Sequence, residues 1–432
     1  MRRLRGLVAD TRPLRNEYFR RLWLANIVTV VGAQLTVVAV PAQIYQLTDS
    51  SAYVGLTGLF GLVPLIVFGL WGGALADVFD RRSILIVTTS GLIATSVLFW
   101  VQAAAGNTSV WLLLGLFSVQ QAFFAVNQPT RSAVLPKLFT AELLPAANSL
   151  NMTIVMAGAI GGPLIAGVLI PVLGFSWLYL IDAISLFATL SAVVRLPRLP
   201  VEGVTGSPGL RSVIEGFAYL GGHPVLLMSF VVDLIAMVFG MPRALFPQIA
   251  HESFGGPDSG GLVFALLFAA IPAGSVIGGV FSGWVSRVDR QGYAVIVCIL
   301  VWGAAMTGFG VAVGLADRGS ESWQQAMLLA ALLMLVVGGA ADMASAAFRT
   351  SMLQSAATDS VRGRLQGVFI VVVAGGPRVA DVVHGAAAAA VGTAAAAAGG
   401  GVLVVVGTVV AAIAVPSFVR YRITTRALPE AG

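Results

Sequence analysis

The fold class that the sequence predicts is an all-α polytopic membrane protein, with 12 transmembrane helices in two pseudo-symmetric six-helix bundles and both termini in the cytoplasm. Three observations predict it. Of 432 residues, 58% are hydrophobic and only 10% are charged, with a mean hydropathy of +0.92. A soluble domain carries roughly a quarter charged residues, so most of this surface faces hydrocarbon, and the lipid bilayer is the first partner implied. The second observation is where the positive charges fall, and the third is an internal repeat.

An apolar stretch of about 20 residues crosses a bilayer core. Apolar runs divided by polar and turn-forming residues place spans near 22–47, 52–76, 84–105, 110–128, 149–172 and 175–194, then 224–248, 260–285, 292–315, 323–347, 366–388 and 398–417. The lead "MRRLRGLVADTRPLRNEYFRRLW" is basic and has no small-residue cleavage site after its apolar run, so it reads as a cytoplasmic lead into a retained first span. The tract "AAVGTAAAAAGGG" (389–401) is so rich in Ala and Gly that it marks no helix end. With the N-terminus inside, 22 of the 25 Lys and Arg residues fall on cytoplasmic segments, leaving only Arg243, Arg318 and Arg378 elsewhere. That is the positive-inside bias of membrane proteins. It explains the net charge of +6 as topology and argues against nucleic acid as a partner.

The polar segment 195–222 is the longest connection, so the expected organisation is an N-terminal bundle over 1–194, a cytoplasmic linker over 195–222 and a C-terminal bundle over 223–432. The bundles echo one another. "TRSAVLPKLFTAELLPAANSL" (130–150) aligns with "FRTSMLQSAATDSVRGRLQGV" (348–368), matching Arg131 to Arg349 and Leu135 to Leu353. "GGP" recurs at 161–163 and 375–377, in spans 5 and 11. "DVFDRR" (77–82) has a fainter echo in "SRVDRQ" (286–291), which keeps Asp80 as Asp289 and Arg81 as Arg290. Three echoes in the same order indicate a tandem duplication. Bundles built this way place a substrate site near the membrane midplane, between repeats.

The turn after span 2 holds Gly73, Leu75, Asp77, Arg81 and Arg82, a G-x-L-x-D-x-x-x-R-[RK] pattern. Together with two sets of six spans, it resembles the major facilitator superfamily. Asp80 stands where that family usually has a loop glycine, and Val78 where it has a basic residue. The "ADxxDRR" form is similar to the enterobactin-exporter-like, drug and macrolide efflux branch, as are "PAQIYQLTDSSAYVGLTGL", "GMPRALFP" and "VRGRLQGVFIVV". The resemblance implies secondary active transport by alternating access, a monomer in the cell's inner membrane, and a loop that latches the two halves on the cytoplasmic side. It also implies a small, partly apolar substrate such as a drug or siderophore. From residue chemistry alone, Asp77 could cap a helix or pair with a cation, and the charges could equally be a solvated loop.

An ionisable group within a span is costly unless it is paired, hydrated or neutralised. Asp182 in span 6, Asp233 in span 7, Asp342 in span 10 and Asp381 in span 11 pass that filter. At about 1.5 Å per residue, Asp182 and Asp233 lie about 10–15 Å into their helices. Neither has an opposite charge within a turn of its own helix, which suits a group that loads and releases a proton. Asp233, on the helix that opens the second half, is the preferred coupling acid. Asp182 reads equally as a packing acid bonded to a neighbouring helix. Arg378 and Asp381 share a helical face, either as a cavity-facing pair or as a structural bridge, and Asp342 beside Arg349 could form a second latch.

Span 5 carries Gly158, Gly162, Pro163 and Gly167, similar to the G-x-x-x-G-P-x-x-G-G pattern of antiporters in the superfamily, with Ala166 in place of one glycine. A proline bends a helix and small residues admit a close partner, so a kinked, tight contact is expected; ordinary helix packing is the alternative. Asn26, Gln34, Gln43, Gln120, Gln121 and Asn127 are candidate cavity amides, although an interhelical hydrogen bond would account for each. Trp23, Phe123, Phe124 and Trp302 are expected to face lipid or the interface, and Cys298 to be a buried small hydrophobe.

Proton-coupled efflux therefore ranks first among the functions, with an importer or facilitator of the same fold as the alternative. An enzyme or sensor ranks last. His223, His251 and His384 are scattered, no His/Cys/Asp cluster has metal-ligand spacing, and no phosphate-binding loop G-x-x-x-x-G-K-[ST] occurs. No cofactor is implied.

Overall fold

The computed structural model describes residues 10–140, 142–199, 215, 218–316, 318–356 and 359–422. Among them there is no β-strand. Polar residues between the apolar runs act as helix starts. Asn16 caps α1 (Glu17–Thr48), its side chain accepting from Tyr18 and Phe19 N–H at 3.0 and 3.2 Å. Ser50 caps α2 (Ser51–Val78), Asp80 caps α3 (Arg81–Ala104) and Ser109 caps α4 (Val110–Ser132). Each takes up an N–H that a helix start would otherwise leave unsatisfied. Between α1 and α2 the chain reverses at Asp49, whose φ of 49° ends the first helix.

The next helix, α5 (Leu144–Val194), runs for 51 residues. At about 1.5 Å per residue that is more than twice the roughly 30 Å hydrocarbon core. It is broken at Gly174, where φ is 74° and ψ 171°. The two arms on either side coincide with spans 5 and 6 of the sequence reading. After the linker come α6 (Pro224–Gly240), α7 (Leu262–Val280), α8 (Gln291–Ala316), α9 (Glu321–Ala356), α10 (Asp359–Val391) and α11 (Thr393–Ala414). Short 3-10, α and π turns extend α6 as far as Ser253. The Ala/Gly tract near 389–401 is helical except at Gly392, whose φ of 83° separates α10 from α11. Span 12 thus begins five residues earlier than 398, because alanine is the strongest helix former. Among the described residues, ten helical stretches, one of them the two-armed α5, are long and apolar enough to cross a membrane.

The chain forms two compact units. One comprises Met1–Leu210 with Arg243–Ala269; the other comprises Arg211–Pro242 with Ala270–Gly432. In the first, α1 runs along α5, α2 along α4, and α3 against both α4 and α5. In the second, α6 packs on α10 and α11, and α8 on α9 and α11. The backbone of α9 at Val336 and Ala340 fills the space beside Gly274 and Gly278 of α7. Counted by span, the same pairs recur in each unit: first with fifth, second with fourth, third with fourth and sixth. The repeated "GGP" takes part in this. Gly162 lies against Gln34 of α1, and Gly376 against Met237 of α6.

Of the 195–222 segment, residues 200–214 and 216–217 lie outside the described residues. Its two ends are packed, each in its own unit. Leu196 and Leu199 join Leu85, Val134 and Val193 in one apolar cluster; Leu220 joins Leu226, Phe230 and Val372 in another.

Among the aromatics, Trp302 departs from expectation. It is 1% exposed, its indole N–H donating to Ala236 O at 3.1 Å. Gly240 and Gly338 leave the room that its ring occupies, and a buried indole needs a hydrogen-bond acceptor. Trp23 and Phe123 are half-buried, whereas Phe124 is exposed. Cys298 is buried within α8.

Candidate functional site

The loop between α2 and α3 is built on helix ends. Asp80 accepts from Ser83 N–H at 3.3 Å and, through its other oxygen, from Leu199 N–H at 2.7 Å. Arg81 donates to Ala133 O, just past the end of α4, at 3.2 Å, and Arg82 donates to Val194 O, the last residue of α5, at 2.6 Å. Helix C-termini carry carbonyls without intrahelical partners and a partial negative charge. Two guanidinium groups are what such ends attract, and the cluster around Leu199 lies alongside. Ser83, Leu199, Ala133 and Val194, which Asp80, Arg81 and Arg82 engage in this way, all belong to the first unit. Leu75 is exposed, while the side chains of Gly73 and Asp77 lie outside the described residues.

On the second arm of α5, Asp182 is 2% exposed. Thr36 of α1 and Ser96 of α3 both donate to its Oδ2, at 2.7 and 2.9 Å. Gly32, one turn before Thr36, lets α1 close onto Asp182 and Ser185. The acid is therefore tied by hydroxyls from two other helices, and this is the interhelical bonding that the sequence left open.

Asp233 differs. It too is 2% exposed, but Arg349 of α9 forms an ion pair with it. The same guanidinium stands 3.9 Å from Asp342, seven residues back on its own helix. The sequence sets Arg349 beside Asp342 as a second latch and leaves Asp233 a lone acid; the structure pairs the arginine with Asp233. The signal available was the spacing of Asp342 and Arg349, which puts both on one face of α9; their pairing with another helix is tertiary. In α10, Asp381 is buried and Arg378, one turn earlier, is half-buried. His384 donates from Nε2 to the Phe239 carbonyl at 3.0 Å.

The glycines of the first arm of α5 meet α1. Gly158 faces Val30 and Gly162 faces the Cβ and Cγ of Gln34, while Gly167 faces Ala265 and Gly261. Gln34 is thus half-buried against the glycine motif. Of the other amides, Gln43 and Gln102 bond each other at 3.1 and 3.3 Å, and Tyr179 donates to Gln43 at 2.9 Å. Gln120 reaches Ser96 at 3.4 Å, and Gln121 is buried. Asn127 donates to Thr88 and Thr89 at 2.8 and 3.3 Å.

Asn26 and Asn127 also line a cavity of about 460 Å³ inside the first unit, between α1, α3, α4 and α5. Arg131 lines it as well, an arginine that the sequence reading had assigned to topology alone.

Long apolar helices around buried, hydrogen-bonded acids and a cavity with amide and arginine side chains in its lining fit a membrane transporter. The sequence profile of the transmembrane secretion effector family matches residues 8–429. The chain belongs to that family and is a transporter of the major facilitator superfamily, not an enzyme. Among its curated relatives are the enterobactin exporters EntS of Shigella dysenteriae serotype 1 (strain Sd197) and of Escherichia coli O1:K1 / APEC. Each is 26% identical over 352 residues, covering 81% of this chain and 80% of the relative. Similar solved structures include a bacterial homologue of the iron transporter ferroportin in an inward-facing state (TM-score 0.66, 16% identity, 93% of this chain and 98% of that one). A D-xylose–proton symporter has a TM-score of 0.67 at 14% identity, over 92% of this chain and 97% of that one. At such identities the solved structures speak for the fold.

Proposed function

We propose that the protein is a proton-coupled exporter, an antiporter that moves a small, partly apolar molecule such as a drug or siderophore outward as protons move in. The observation that carries this reading is Arg349 placed between two acids, Asp233 on α6 and Asp342 on its own helix. A proton arriving at Asp233 removes the charge that holds the guanidinium, which then shifts toward Asp342. Loss of that proton restores the first pair. Because the two acids sit on different helices, the exchange of partners changes which helices are tied together, and this is what alternating access requires.

The remaining features support the same reading. The charge bias favours twelve spans in the inner membrane with both termini in the cytoplasm. The close α1–α5 contact at Gly158 and Gly162 serves as a dry seam against leak, as in the antiporter pattern it resembles. Gly73, Leu75, Asp77, Asp80, Arg81 and Arg82 act as the cytoplasmic gate motif, with Gly73 allowing close approach. Arg378, Asp381, Asp182 and Gln34 are supporting polar positions. The working unit is a monomer, and the enterobactin exporters among the relatives make a siderophore the first substrate to try.

The test is reconstitution in proteoliposomes with an imposed pH gradient, using enterobactin and a panel of amphiphilic drugs. Uptake driven by an acidic interior, abolished by a protonophore and accompanied by proton release, is expected. Movement driven by the solute gradient alone, with no proton flux, would make the protein a facilitator.

A further inference from the structure

The duplication matches Arg131 with Arg349, each near the end of the fourth helix of its half. Their surroundings have diverged. Seven residues before Arg349 stands Asp342; seven before Arg131 stands Phe124. The other acid can be placed through the repeated "GGP". Gly162 and Gly376 are equivalent, so their neighbours Gln34 and Met237 are equivalent too. Asp233, four residues before Met237, then corresponds to Val30, four before Gln34. Val30 and Phe124 both line the 460 Å³ cavity, together with Arg131. The first half has therefore kept the arginine and has apolar residues in place of both acids.

Among the described residues, the Arg131 side chain makes no hydrogen bond or ion pair, and no Asp or Glu lines its cavity. The lining does contain side-chain amides. Asn26, Gln128, Asn148 and Asn151 are among the lining residues, and none has a side-chain hydrogen bond among the described residues. A cation without a counter-charge in a membrane bundle is unfavourable unless something compensates it, and a guanidinium binds planar oxyanions through two parallel hydrogen bonds. The volume lies within the range of small-molecule sites.

We infer that this cavity is an anion-binding site in which Arg131 holds a carboxylate-like oxyanion of the transported molecule, with the amides as additional donors. The inference rests on the reading of the chain as a small-molecule exporter and narrows its substrates to compounds with an anionic head.

The test is equilibrium dialysis of the purified full-length protein in a non-ionic detergent, with a naphthalene carboxylate, its neutral carboxamide and the matching ammonium compound as probes. The carboxylate is expected to bind about tenfold tighter than the carboxamide, a difference of about 1.4 kcal/mol. Arg131→Gln should remove that preference, while Arg131→Lys should keep part of it. Asn148→Asp, at an exposed edge of the cavity, leaves Arg131 in place and should also weaken carboxylate binding. That variant guards against misfolding of the arginine variants. Equal carboxylate affinity in wild type and Arg131→Gln, preference for the ammonium compound, or no carboxylate binding at all would overturn the assignment. No gradient is involved, so the outcome is separable from the exporter reading. Carboxylate binding without proton-linked transport would sink only the exporter reading, and proton-linked transport of carboxylates by Arg131→Gln at the wild-type rate would sink only the anion-site assignment.

Discussion

Arg131 and Arg349 hold matching places in the two sequence repeats, yet the side chain of one is paired and that of the other is open. Around Arg349 the second half supplies Asp233 from α6 and Asp342 from α9; around Arg131 the first half supplies Val30 and Phe124. The charged residue is the same, so its role is set by what faces it. A guanidinium enclosed by acids can exchange partners as protons arrive, whereas one facing unpartnered amides waits for an anion. In the proposed function, energy coupling falls to one repeat and substrate recognition to the other.

The strongest way to break this comparison is Asp233→Asn. Leaving Arg349 without its main partner should cost about 3–5 kcal/mol, read as a lower melting temperature in detergent, and should reduce proton-driven transport to below a tenth of wild type. Adding Arg349→Gln should restore stability without restoring coupling. Wild-type proton-driven efflux by Asp233→Asn would falsify the coupling assignment. Next, Val30→Asp places a counter-ion where the second half has one. It should lower carboxylate binding about tenfold, equivalent to about 1.4 kcal/mol, with little change in melting temperature; unchanged binding would mean that the two positions are not equivalent.

Ser96→Ala and Thr36→Val, which each remove a hydroxyl from Asp182, should each destabilise by about 1–2 kcal/mol while leaving proton coupling intact. A loss of coupling there would move the proton site into the first half. The smallest effect is expected for Asp342→Asn. Its oxygen lies 3.9 Å from Arg349 and its side chain is a quarter exposed, so about 1 kcal/mol or less is at stake in stability. Transport should slow without losing its dependence on the pH gradient, as measured by proton flux in the same vesicles.

Much of the fold was legible because hydrocarbon imposes few solutions. The caps at Asn16, Ser50, Asp80 and Ser109 fall where polar residues interrupt apolar runs, and Gly174 divides α5 between the two spans read from the sequence. The family motif was legible as well, through Gly73, Asp77, Arg81 and Arg82. The site was less so. Asp233 reads as a lone acid along its own helix, and Trp302 reads as an interfacial aromatic until Gly240 and Gly338 are seen to make room for it. Gln43 looked like a cavity amide, but Gln102 and Tyr179 occupy its oxygen and nitrogen between them.

By itself, the sequence determined that this is a polytopic helical membrane protein built from a repeat, with its positive charges gathered on one set of connections. Composition and one-dimensional spacing suffice for that, since every apolar stretch of sufficient length must satisfy its backbone within a helix. Only the tertiary structure decided which charges are partnered. Arg349 and Asp233 are more than a hundred residues apart, and whether a guanidinium meets a carboxylate or an amide-lined cavity depends on which helices close around it.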